Sequence, residues 1–448
     1  MCPQADSFTV ACTMNRPDVA AHRRIDLTLL VTGVAVLWAI PHGIFGDGEA
    51  RYTALERLLT QGDATPSGYS MIGPLFATPL YLAGRLLGEP ARAVALLNVT
   101  LFTIALVAIA RELRHALPPP ARRSVLLLLV YGSMFPAHVQ AFYGEVFTAL
   151  AITLGVLGLS RDKPLAGWTA IILGGANTPA TIVGVVAIAV RAALRTRRWM
   201  HLLAPLVMVT LISVSNLVAS GSLLLSGYEG DKGFRTVMPY SGRPGFSYPL
   251  FFGALSIFLS FGKGLVFFAP GLFAPLERQV SPNLRWAHGT LLWFVAGLVV
   301  VYAQWWAWYG GWFWGPRFFL MASVPAALAL GSHLGTSAPD RPSGRNLLLA
   351  AALALSFWVG VNGIVFGQNG LDICSQNDYA LEALCHFTPE LSVLWHPFVD
   401  FASSVSADRR PLAIAACAFW AFVLVWTARG VFASLARDLH GAIERTRR

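Results

Sequence analysis

Charge is scarce in this chain. Of 448 residues, 23 are acidic, and Asp, Glu, Lys and Arg together make up only 12%. A well-solvated globular surface needs about twice that share, so a soluble protein is excluded. Long polar stretches are missing as well. No segment between the apolar runs exceeds about 50 residues, which is too small for a typical independent domain. The chain has no glycine-rich βαβ unit, so a nucleotide-sugar or dinucleotide domain is excluded. No strong internal repeat is visible. Cys2, Cys12 and Cys417 have no metal-like spacing, which excludes a zinc site. A cleavable signal peptide is also missing: the segment before Ile25 is polar, and acidic residues, not small ones, follow the first apolar run.

What remains is apolar. Hydrophobic residues make up 55%, mean hydropathy is +0.58, and runs approaching the roughly 20 residues of a bilayer-spanning helix recur throughout. The formal charge of +10 comes from short basic clusters between these runs. That pattern orients a membrane protein and is not a nucleic-acid footprint. Arg16, Arg23 and Arg24 precede the first run, 25–43, and place the N-terminus in the cytoplasm. Further spans are predicted at 91–110, 124–142, 146–159, 165–176, 180–194, 201–219, 264–276, 287–304, 318–333, 346–366 and 412–428. The fold class is therefore an all-α polytopic bundle of about twelve transmembrane helices, with both termini inside. This arrangement leaves 22 of the 33 Lys and Arg residues on the cytoplasmic side.

Two stretches do not fit as spans. Residues 50–59 are amphipathic and short, which predicts an interfacial helix. Residues 71–87 carry Pro74 and Pro79 and read as a surface-bound or re-entrant piece. Both belong to the outer segment 44–90; 220–263, 305–317 and 367–411 are the other outer segments. Residues 25–219 form one module and 220–428 hold the remaining helices, in a single transmembrane domain. Cys374 and Cys385 share the last outer segment, eleven residues apart, where an oxidising compartment allows a disulfide.

The chemistry-bearing residues gather on that outer face. Gly46 to Tyr52 reads GDGEARY, and its carboxylates Asp47 and Glu49 point to one side if the segment is extended. Glu145, in AFYGEVF, stands at the next outer crossing, where a membrane-edge carboxylate is costly and tends to have a purpose. The order of a first helix, GDGEARY, interfacial segments, a cytoplasmic Arg-Arg turn and a Tyr-x-acid motif resembles the GT-C superfamily of membrane glycosyltransferases. It is most similar to the branch of the protein O-mannosyltransferases and the lipid A aminoarabinose transferase. The resemblance covers roughly residues 24–198.

That resemblance implies an inverting transfer of a sugar from a polyprenyl-phosphate donor to a glycan, lipid or protein acceptor, at the outer face of the cytoplasmic membrane. Asp47 or Glu49 is then the base, with Glu145 positioning the acceptor and Arg51, Tyr52 and Tyr143 beside them. The family's acids are adjacent, whereas Gly48 separates them here, so the base is open between the two. The family's lysine in a TKGP-like turn is replaced in Ala176–Pro179 by Asn177, so a phosphate must find its cations elsewhere. Lys263 in SFGKGL, Arg317 in WGPRF and Arg243 are the candidates, with Lys232, Arg235 and Tyr240 near Arg243. Trp305, Trp306, Trp308, Tyr309, Trp312, Phe313 and Trp314 read as a membrane belt or as a stacking surface for a sugar or lipid tail. No cofactor is required; Mg²⁺ or Mn²⁺ between Asp47, Glu49 and Glu145 is the alternative that three carboxylates leave open. A transporter or flippase for a polyprenyl-linked or anionic substrate, and a non-catalytic assembly partner, are the competing readings.

Overall fold

A computed structural model describes residues 16–64, 68–220, 236–334 and 343–446. Among the described residues the chain is helical, and its only β pairing is a single parallel bridge between Gly43 and Ala141. Seven helical stretches are long and apolar enough to cross a membrane, among them Pro90–His115, Pro179–Thr196, Pro282–Tyr302 and Ser343–Val365. This is a multi-pass membrane protein. Many large apolar side chains of these stretches face outward, such as Ile104, Leu206 and Trp293, as expected of helices solvated by lipid.

Helix α1 (Arg16–Ala39) leads into α2 (Asp47–Gln61), the amphipathic element expected at 50–59. Its first turn carries Asp47 and Glu49, where carboxylates favour the helix dipole, and it stops at Gly62 in the left-handed conformation, whose N–H caps the Arg57 and Leu58 carbonyls. Residues 71–87 form two short helices, Ile72–Leu75 and Thr78–Leu86, consistent with a piece that does not span. Helix α3 (Pro119–Tyr131) ends at Gly132, so the predicted span 124–142 is cut short and its last residues run into the bridge. Helix α4 (Gly144–Ser160) follows and packs closely on α5 (Pro164–Asn177). Gly155, Gly167 and Gly174 line that contact, as small residues do between membrane helices.

The predicted span 264–276 is not a helix. The chain forms helix Leu250–Leu259 inside the expected outer loop, then breaks into Leu265–Phe268 and a 3₁₀ turn at Pro270–Phe273. Extended backbone at Ser260 and Gly264, and the missing N–H groups of Pro270 and Pro275, explain the interruption. Among the described residues seven stretches meet the length and apolarity of a span, so the all-α polytopic class holds and the count of about twelve is not confirmed. Cys374 and Cys385 are disulfide-bonded, with Cα atoms 6.2 Å apart; Cys417 is free, and Cys2 and Cys12 lie outside the described residues.

Candidate active site

The bridge sets the geometry. Gly43 N–H donates to the Gln140 carbonyl (2.9 Å) and Phe142 N–H donates to the Gly43 carbonyl (3.2 Å). Asp47 and Glu145 follow the two bridged residues at once, and both enter helices in their first turn, α2 and α4. Gly48 makes the approach possible: a Cβ there would lie 2.6 Å from the Phe142 carbonyl oxygen. The residue that separates the acids in sequence is thus the one that lets α2 sit against the start of α4.

Gly48→Ala is a sharp test of that contact. Helix propensity alone favours alanine by about 1 kcal/mol. A clash with backbone cannot be relieved by a side-chain rotation, so the expected result is a lower melting temperature. A more stable variant would show that α2 does not press on Phe142.

Arg317 lies between the two acids. Its Nη1 is 2.7 Å from Asp47 Oδ2 and 3.7 Å from Glu145 Oε1, and its Nε donates to the Gly310 carbonyl at 2.8 Å. The guanidinium is 6% exposed and rests on aromatic faces, 4.1 Å from the Phe313 ring centre and 5.6 Å from that of Tyr143. Tyr143 is buried, and its hydroxyl has no hydrogen-bond partner among the described residues. Burial pushes its phenol well above the ordinary value, so it stays a neutral donor. The other Asp47 oxygen accepts from Tyr69 Oη at 2.9 Å. Beside these groups a small, partly open pocket is lined by Glu145, Thr148, Thr178, Tyr302 and Phe318.

Helix geometry separates Asp47 from Glu49. Residues two apart on a helix point to nearly opposite sides, and Glu49 is exposed while Asp47 turns to Arg317. The expectation of an extended segment fails because the helix begins at Asp47. A three-carboxylate metal set is not assembled either: among the described residues no group of three His, Cys, Asp or Glu is placed to hold a metal ion. The cation between Asp47 and Glu145 is a guanidinium.

Arg51, one helical turn after Asp47, is buried and donates to the Ser70 carbonyl (3.1 Å) and the Asn177 side chain (3.5 Å), with its guanidinium over the Tyr69 ring. Asn177 stands where a cation was expected and pins three segments: it accepts from Gly73 N–H (3.0 Å) and donates to the Gly144 carbonyl (2.9 Å) and Thr148 (3.0 Å). Tyr52 turns away and donates to Glu56. Lys263 is buried and holds main-chain carbonyls instead of facing the acids. Arg243 is exposed and stacks on Tyr240; Lys232 and Arg235 lie outside the described residues. The aromatic run is not a lipid-facing belt, since Trp306, Trp308, Tyr309 and Trp314 are buried and Phe313 backs Arg317. Tyr69 was invisible in sequence: a lone tyrosine in a polar loop carries no pattern.

No protein-family model matches the chain, and no curated protein sequence matches it. Among solved structures, the crystal structure of ArnT from Cupriavidus metallidurans bound to undecaprenyl phosphate is similar, with a TM-score of 0.47 at 14% identity, over 94% of this chain and 78% of that one.

Proposed function

We propose that this protein is a GT-C-type glycosyltransferase that moves a sugar from a polyprenyl phosphate to an acceptor hydroxyl or amine at the outer face of the cytoplasmic membrane. The observation that carries the reading is the Asp47–Arg317–Glu145 cluster at the start of α2 and α4. A carboxylate that accepts protons and a nearly buried cation that attracts phosphate are the two groups such a transfer needs. They lie within one salt bridge of each other.

In the proposed reaction the donor phosphate shares Arg317 with Asp47 and draws the guanidinium toward itself. Asp47 then takes the acceptor proton as the acceptor oxygen or nitrogen bonds to the sugar C1. The C1–O bond breaks on the opposite face, its electron pair stays on the polyprenyl phosphate, and C1 inverts. Glu145 and Tyr143 border the acceptor side, and no step is routed through a metal. The position of the acids favours transfer over transport, because transporters place ionisable groups near mid-membrane, whereas Asp47 and Glu145 begin helices.

The test is mass spectrometry of cell-envelope glycans and glycolipids with and without the protein, followed by transfer assays on purified Asp47→Asn and Glu145→Gln. Loss of one sugar mass from the envelope and loss of transfer in the variants is the expected result. Unchanged transfer in both correctly folded variants overturns the mechanism.

A further inference from the structure

Lys263 is 3% exposed, and a lysine so deeply buried needs its charge answered. It has three protons to donate. Nζ donates to the carbonyls of Gly311 (3.2 Å), Gly315 (3.0 Å) and Phe313. Carbonyls this close together in sequence face one point because the chain turns through left-handed conformations at Gly310 (φ 78°), Gly311 (φ 76°) and Gly315 (φ 62°). Arg317 comes two residues after the last of these carbonyls, and its Nε holds the first glycine of the loop. Lys263 itself is fixed from behind. Gly262 N–H donates to the His386 carbonyl (3.0 Å), and a Cβ at Gly262 would strike the Cys385 carbonyl oxygen.

We propose that Lys263 is a positioning residue: by gathering the carbonyls of Gly311, Phe313 and Gly315, it fixes the loop that presents Arg317 to Asp47 and Glu145. It acts through Arg317 and does not itself touch the donor. Its effect on rate rests on the transferase reading; its effect on the loop does not.

The charged and titratable groups around Lys263 are Arg317 from the loop, Glu382 and His386 from helix Glu382–Phe387, and His138 from helix Phe135–His138. Tyr309 donates to Glu382 at 3.4 Å. Burial, and then the Arg317 charge, bring the Lys263 ammonium down from 10.5 to about 7, with Glu382 opposing them. His386, held down to about 4 mainly by burial, stays neutral through this range. The cage therefore loses its cation as pH rises through about 7. The Lys263 contribution to global stability moves the other way: an unfolded lysine keeps its proton to about 10.5, so between the two values the unfolded state binds more protons at this group and its contribution to stability rises with pH. A melting curve across the same pH range separates a loosened loop from unfolding.

The experiment uses the purified full-length protein with Lys263→Met and Lys263→Arg. Hydrogen exchange of the 310–317 amides is expected to quicken roughly tenfold or more in Lys263→Met, and transfer to fall on the order of 10²-fold, with donor-lipid affinity weakened alongside as Arg317 loses its fixed place. Lys263→Arg, which keeps its charge at alkaline pH, is expected to fold and to flatten the loss of turnover above neutrality. Combining Lys263→Met with Arg317→Lys is expected to cost less than the sum of the two changes. Unchanged exchange of the 310–317 amides in both variants overturns the proposal, as does a loss of donor affinity in Lys263→Met with the loop still protected. If exchange responds while the wild type transfers no sugar at all, the transferase reading fails and the loop assignment stands.

Discussion

Asp47→Asn is expected to reduce sugar transfer by roughly 10²–10⁴-fold, the usual cost of removing a general base, with the fold intact. The amide keeps an oxygen to accept from Tyr69, so the local structure has a way to persist. What is lost is the ability to take a proton and the charge that meets Arg317. Glu49→Gln is the matched control. Glu49 is exposed and on the other side of α2, and its change is expected to leave transfer within about twofold, as for an ordinary surface substitution. Sequence alone left the base open between these two residues. A helix that begins at Asp47 turns only one of the two toward α4, and the proposed mechanism takes that one as the base. Comparable losses in both variants would return the question to where the motif left it.

Arg317→Met is expected to remove both donor binding and turnover, with a rate loss of roughly 10²–10³-fold, typical of deleting a group that stabilises developing charge. It should also destabilise the protein. Breaking a fully buried ion pair costs roughly 3–5 kcal/mol, but the side chains of Asp47 and Glu145 are 22% and 16% exposed, so the cost here should fall below that range. Arg317→Lys separates charge from shape: an ammonium keeps the charge but cannot both hold the Gly310 carbonyl through Nε and reach Asp47. It is expected to fold, to bind donor more weakly and to turn over at an intermediate rate. Donor-lipid binding and a melting curve on the same preparations check both points. Full donor affinity in Arg317→Met would remove this residue from the phosphate site.

Hydropathy was enough to read a polytopic helical protein, its first helix and the amphipathic segment after it, since apolar length and helical periodicity are local properties. The failures were local as well. The run 264–276 is apolar enough to span, but its prolines and extended glycine carry no hydropathy signal. Asp47, Glu145 and Arg317 were each legible as chemistry-bearing residues, yet not as one cluster, because a guanidinium meeting acids 270 and 172 positions away is a property of the fold. Lys263 reads in sequence as a phosphate ligand, whereas in the structure its ammonium is taken up by main-chain carbonyls. Its glycine-flanked setting marks a tight turn, and only the path of the 310–315 loop decides which oxygens the ammonium meets. Asn177 looked like a gap in a motif and is a buried amide that joins three segments.

The pairing of Gly43 with Ala141 acts as a registration mark for the whole centre. From it the chain runs four residues to Asp47 on one arm and four to Glu145 on the other. Each arm is a ruler whose length decides where its acid arrives. One residue inserted or deleted in either arm turns its acid about 100° around the helix and out of the centre. Such a chain would keep its membrane helices, and its disulfide, with no partner for Arg317.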